Sequence, residues 1–160
     1  MSSTDFRRKT IRLPREVYRG PQAYSLTIAT ADRQPYFRES ELVHDVRDML
    51  HVVARRQFEI VAYCFMPDHL HLLVLAHEDG ADLLAFVKSF KQRTGFMFRK
   101  HRGVVLWQKG YFDHILRRDE DLRIVARYIF ENPVRAGLVS DFRVYPFSGS
   151  FTHDLNTLAA

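Results

Sequence analysis

His69 and His71 are separated by one leucine, and well downstream Tyr128 is followed four positions later by Asn132. On a β-strand successive side chains alternate faces, so the two imidazoles would project from one side while Leu70 and Leu72 face the other. That spacing lets two rings share one cation. Residues four apart on a helix share a face, so the phenol of Tyr128 and the amide of Asn132 would point the same way. A phenol, whose pKa is ordinarily about 10, is a poor nucleophile at neutral pH. A divalent cation on a non-bridging phosphate oxygen would polarise the phosphorus and orient the scissile bond for in-line attack. The four residues spell out a candidate metal-assisted tyrosine nucleophile.

Each residue also has a plainer reading. Two histidines on a buried strand are more often satisfied core residues than ligands. A tyrosine at helical spacing with Leu122, Val125 and Ile129 is usually core. Asn132 precedes Pro133, and a residue before proline is pushed out of the helical region, so its amide could simply cap a helix end. Leu73 and Leu75 continue the histidine face as apolar, and bare imidazoles at such a surface are costly unless partnered.

The elements that would hold these groups follow from periodicity. Residues 24–30 (YSLTIAT) alternate and are rich in β-formers, which predicts a first strand closed by the turn residues of 31–35. Leu42, Val43, Val46, Leu50, Val53 and Ala54 recur at helical spacing across 40–56. Residues 58–66 (FEIVAYCFM) read as a buried strand, Pro67 and Asp68 as a tight connection, and 69–76 as the returning strand, so the histidines belong to a hairpin. From 82 to 101 Leu83, Phe86, Val87, Phe90, Met97 and Phe98 make one apolar stripe, with Gly103 ending the helix. Residues 104–116 read as a fourth strand. Asp119, Glu120 and Asp121 open a last helix at its positive end, and Pro133 limits its length. The order β-α-β-β-α-β predicts an α+β fold of the ferredoxin-like split β-α-β type. It has an antiparallel sheet, helices on one face, and an extra C-terminal helix bearing the tyrosine.

One domain accounts for the 160 residues, 46% of them hydrophobic and 13% aromatic. Residues 1–20 form a basic arm and the tail from 151 is expected to be loosely held. Twenty-four Lys and Arg against nineteen Asp and Glu leave a net charge of +5, which fits a polyanionic partner as well as ordinary solubility. Distribution is more telling: Arg7, Arg8, Lys9, Arg12, Arg15 and Arg19 meet only Asp5 and Glu16 in the first twenty residues. Lys88, Lys91, Arg99, Arg102 and Arg135 are further candidates for backbone phosphates, although cations on exposed helix faces are commonly only solvated. A single cysteine, Cys64, excludes an intrachain disulfide and a multi-cysteine zinc site. With no apolar run long enough for a signal peptide or membrane span, a cytoplasmic protein is expected.

The histidine triplet, the run Trp107 to His114 (WQKGYFDH) and the run Tyr128 to Val139 (YIFENPVRAGLV) resemble the single-tyrosine HUH transposases. The resemblance is greatest to the REP-associated tyrosine transposase branch of bacteria, in order from Arg12 to Phe147. The tyrosine helix followed by NPVRAGL is its most specific part. It implies the same fold, with Tyr128 as nucleophile, His69, His71 and Asn132 as metal ligands, and Mg²⁺ or Mn²⁺ as cofactor. Asp113 and His114 become candidates to orient a ligand or contact DNA. The implied reaction cleaves single-stranded DNA at hairpin sites through a covalent 5′-phosphotyrosine and rejoins strands by the reverse attack. A monomer or a homodimer is compatible with the resemblance, and in a dimer the tyrosine helix would complete the partner's histidine site.

Two other functions compete. A domesticated or inactive relative would bind DNA hairpins without cleaving them, against which stand the intact His69, His71, Tyr128 and Asn132. A metallohydrolase using water would need a nearby carboxylate base, yet Leu72, Leu73 and Val74 follow His71, which removes the HxHxDH pattern.

Overall fold

A computed structural model of the chain describes residues 22–77, 79–116 and 122–159. The arm residues Arg7, Arg8, Lys9 and Arg12, and the acidic opening of the last helix, lie outside the described residues. Strand β1 (Ala23–Ala29), helix α1 (Ser40–Ala54), strands β2 (Phe58–Met66) and β3 (His69–Ala76), helix α2 (Leu83–Arg102) and strand β4 (Phe112–Ile115) follow in order. Helix α3 (Leu122–Phe130), the single turn α4 (Asn132–Arg135), strand β5 (Ser148–Gly149) and the short α5 (Leu155–Leu158) complete the chain. The sheet order is β4-β1-β3-β2-β5 and every pairing is antiparallel. This is the expected split β-α-β sheet, extended by β5.

The two faces of the sheet carry separate cores. Tyr24, Leu26 and Ile28 of β1 and Leu70, Leu72 and Val74 of β3 pack with α1 and α2. The alternate residues Ala23 and Leu73 pack with Ala126, Ile129 and Phe130 of α3. Helices therefore cover one face as expected, and the tyrosine-bearing helix takes the other. In β2 the pairing to β3 shifts between Ile60 and Ala62. The extra residue puts Val61 and Ala62 in the same core, and this bulge resets the alternation. Beyond it Tyr63 and Phe65 face α1 and α2, while Cys64 and Met66 turn to the histidine side.

Gly103 ends α2 in the left-handed region (φ 71°), its N–H reaching the Arg99 carbonyl at 2.7 Å, the capping expected of a glycine there. The fourth strand is shorter than expected: Trp107 forms only an isolated antiparallel bridge to Thr30, and the regular ladder resumes at Phe112. Trp107 Nε1 donates to Thr94 Oγ1 at 2.8 Å in the core, and Lys91 Nζ donates to the carbonyls of Gln108 and Gly110 at 2.8 and 2.7 Å. Pro133 does not simply stop the last helix. It sits in the first turn of α4, where its missing N–H is no loss.

The segment leading into the tail, and several residues of the tail itself, contact the body of the fold. Ser148 and Gly149 pair with Cys64 and Tyr63, Phe151 N donates to the Ile60 carbonyl, and Leu158 and Ala159 are buried against the α3 core. Apolar residues at 151, 155 and 158 provide the contacts that a reading by composition passed over. A Cβ at Gly149 would stand 2.8 Å from Tyr63 Oη, so a larger residue there would make the Tyr63 ring shift.

Candidate active site

His69 and His71 lie on the face of β3 covered by α3, with His71 opposite Thr27 of β1 and Cys64 of β2. Their Nε2 atoms are 3.0 Å apart and the rings meet edge to face. The other nitrogens are engaged: His69 Nδ1 lies 2.6 Å from Asp68 Oδ1, and His71 Nδ1 lies 3.0 Å from Thr27 Oγ1. Asp68 is in turn bound by Arg33 Nε at 3.0 Å. A carboxylate at Nδ1 makes that nitrogen of His69 the donor, so that in the neutral ring Nε2 carries the lone pair.

The 3.0 Å separation is that of a hydrogen bond between the two rings, and it is also compatible with a shared cation. Two ligands at right angles, each about 2.1 Å from an octahedral ion, would stand about 3.0 Å apart. Outer partners on both Nδ1 atoms are what metal-bound imidazoles ordinarily have. Among the described residues no group of three or more His, Cys, Asp or Glu is placed to hold a metal, so any further protein donor must be of another type. An amide is of another type, and Asn132 Nδ2 is buried without a hydrogen-bond partner. Rotating the amide by half a turn would put Oδ1 in that position.

Protonation is set by burial. Desolvation, followed by the neighbouring His69, Arg135 and Arg33, pushes His71 down to about 3, so the ring is neutral. Burial pushes the Cys64 thiol up to about 12, with Arg135 opposing, and Cys64 stays a thiol. The hydrogen bond from His69, opposed by burial and aided by the charges of His69 and Arg33, holds Asp68 below its ordinary value.

Tyr128 is 62% exposed. It lies outside the core formed by its helix neighbours Ala126, Ile129 and Phe130, which excludes the plain core reading. The guanidinium carbon of Arg135 lies 3.9 Å from the Tyr128 ring centroid. The other sequence-selected residues separate by face. Asp113 pairs with Leu26, whose side chain belongs to the α1–α2 core, so the register directs Asp113 away from the histidines. This corrects the expectation that it orients a ligand. His114 pairs with Ser25, which also faces Leu73, and so shares the histidine face. Lys88, Lys91, Arg99 and Arg102 are on α2, in the layer across the sheet from the histidines. Arg102 is paired with Glu39 and Lys91 holds the approach to β4. Sequence reasoning missed Thr27 and Asp68. Asp68 precedes the histidine motif directly, whereas Thr27 is visible only once β1 is registered against β3.

The family model for IS200-like transposases matches residues 21–132, and the chain belongs to that family. Its relatives are of the REP-associated tyrosine transposase branch. A provisionally named member from Haemophilus influenzae is 31% identical over 144 residues, spanning 82% of this chain and 81% of its own. The Escherichia coli K12 member is 30% identical over 117 residues, spanning 69% and 68%. A solved REP-associated tyrosine transposase bound to a REP hairpin superposes with a TM-score of 0.70 at 25% identity, covering 86% of this chain and 81% of that one. A provisionally named transposase from Deinococcus radiodurans gives 0.51 at 27% identity, covering 76% and 97%. No helix among the described residues is long and apolar enough to cross a membrane.

Proposed function

We propose that this chain is a divalent-metal-dependent DNA strand transferase that cleaves and rejoins single-stranded DNA at hairpin sites through Tyr128. The observation that carries the reading is the pair of Nε2 atoms 3.0 Å apart with both Nδ1 atoms engaged, on the sheet face covered by the helix that presents Tyr128. In the reaction the phenolic oxygen loses its proton and forms a bond to phosphorus. The bond from phosphorus to O3′ breaks, and the departing oxygen takes up a proton to become a free 3′-hydroxyl. Attack of a 3′-hydroxyl on the phosphotyrosine reverses the step and rejoins strands.

His69, His71 and the Asn132 amide are the donors we assign to Mg²⁺ or Mn²⁺, since mixed nitrogen and oxygen ligands with open positions accept such ions. Bound there, the ion would supply charge neutralisation and orientation at the scissile phosphate. Asp68 and Thr27 keep the imidazoles aimed. The packing of α3 on the sheet of its own chain is the arrangement that assembly of the histidines and tyrosine within one copy would need, and it supports action as a monomer. The hairpin preference follows the REP-bound relative, and Arg33, half exposed beside Asp68, is a cation next to the histidine pair that could meet backbone phosphate.

The test is a denaturing gel of protein incubated with labelled single-stranded hairpin DNA and Mn²⁺. A slow-migrating protein–DNA adduct that requires Tyr128 is expected. Binding without an adduct would make the chain a non-cleaving hairpin-binding protein, and cleavage without an adduct would point to a water nucleophile.

A further inference from the structure

A tyrosine as exposed as Tyr128 ordinarily exchanges among rotamers on the picosecond to nanosecond scale, yet attack on phosphorus requires its oxygen to be held in line. The guanidinium of Arg135 covers the ring at 3.9 Å. One amino group, Nη2, donates to the Tyr128 carbonyl at 2.7 Å. The other, Nη1, lies 4.0 Å from the Glu131 carboxylate, whose second oxygen accepts from Arg127 Nε at 3.0 Å. The guanidinium is thus held by the backbone carbonyl of the residue whose ring it covers, with the Glu131 carboxylate nearby. A cation serving only as a phosphate anchor would not need the carbonyl of the residue whose ring it overlies.

We infer that Arg135 is the positioning residue of the nucleophile: its planar face fixes the Tyr128 ring so that the phenolic oxygen is presented to the phosphate held at the histidines. The inference rests on Tyr128 being the nucleophile. Planarity is the operative property, because a lysine would retain the charge and lose both the stacking plane and the guanidinium N–H that holds the carbonyl.

The variants are Arg135→Lys and Arg135→Ala. The first measurement is the single-turnover rate of adduct formation at saturating hairpin DNA with Mn²⁺, beside the dissociation constant for the same DNA in several salt concentrations. Both variants should lose about 10- to 100-fold in rate and less than about threefold in affinity. Added guanidinium ion should restore part of the rate to Arg135→Ala and none to Arg135→Lys. The second measurement is the ¹⁹F spectrum of 3-fluorotyrosine placed at position 128 without DNA. The wild-type resonance should be displaced from that of an unstacked ring, and both variants should move it to the unstacked position.

The inference is overturned by an unmoved fluorine signal, or by a rate defect that disappears at saturation while the salt slope falls by about one, which would make Arg135 a phosphate contact only. Absence of an adduct with the wild-type protein would instead refute the reading of Tyr128 as nucleophile, and the fluorine spectra would still decide the stacking.

Discussion

Thr27 and His71 stand directly opposite one another on β1 and β3, the hydroxyl 3.0 Å from Nδ1 of the ring. A hydroxyl both donates and accepts, so Thr27 serves either tautomer of His71. It accepts from Nδ1–H when Nε2 is a ligand, and it donates to Nδ1 when Nε2–H points at His69. Asp68 allows His69 no such freedom, since a carboxylate only accepts. The pair is therefore built with one fixed ring and one adjustable ring.

Tyr128→Phe should abolish the covalent DNA adduct and change hairpin affinity by less than about threefold. The side chain is exposed, so unfolding stability should shift by no more than about 0.5 kcal/mol. Adduct gels, hairpin titration and thermal melting together check this. An adduct from the phenylalanine variant would mean that another tyrosine attacks.

Replacing Asp68 with asparagine keeps the size of the side chain and removes the charge that orients His69. Mn²⁺ affinity, followed by the loss of free-ion EPR signal, should fall about 10- to 100-fold, and His69→Ala or His71→Ala should remove the site. Full activity of any of these variants in excess chelator would leave the histidines a structural role only.

In the metal-free protein His71 should make stability depend on pH. Its folded value is about 3, whereas an unfolded histidine titrates near 6.5. Between those values the unfolded chain binds a proton that the folded chain does not. Stability is thus intact above pH 6.5 and declines as pH falls, by about 2 kcal/mol from pH 7 to pH 5. Urea titrations across that range should show the decline, and His71→Gln should flatten it.

Leu158→Ala should cost about 2 kcal/mol, because Leu158 is only 5% exposed and fills the core beneath α3. A melting curve unchanged by this substitution would show that the tail does not dock in solution.

Hairpin DNA with an unpaired flank should outcompete a fully paired duplex of equal length. Phosphate contacts are common to both ligands and weaken alike with salt, so a preference that persists at two salt concentrations must come from shape or unpaired bases. Equal affinities at both would leave only non-specific attraction.

Much of the scaffold was legible because its signals are local. The alternation in β1, the apolar run of β2, the stripe of α2 and Gly103 all act within a few residues of themselves. The histidine pair was legible for the same reason, since a spacing of two settles the shared face whatever the sheet order. What escaped depends on pairs distant in sequence. Thr27 becomes a partner of His71 only through the β1–β3 register, and Asp113 is turned away by the β1–β4 register. The bulge at Val61 has no turn residue to announce it. The side of the sheet that α3 covers is decided by which apolar face of β3 remains bare once α1 and α2 have packed, which no single segment encodes.

The docking of β5 along β2 also bears on synthesis. Until Ser148 and Gly149 have left the ribosome, β2 is an open sheet edge carrying Ala62, Cys64, Phe65 and Met66, a template for strands of other chains. The segment that shields it follows β2 only after β3, α2, β4, α3 and α4 have been made. Each nascent chain thus passes through an interval in which its central hairpin is formed and its edge is bare, so crowded or rapid translation exposes this fold to aggregation before it can close.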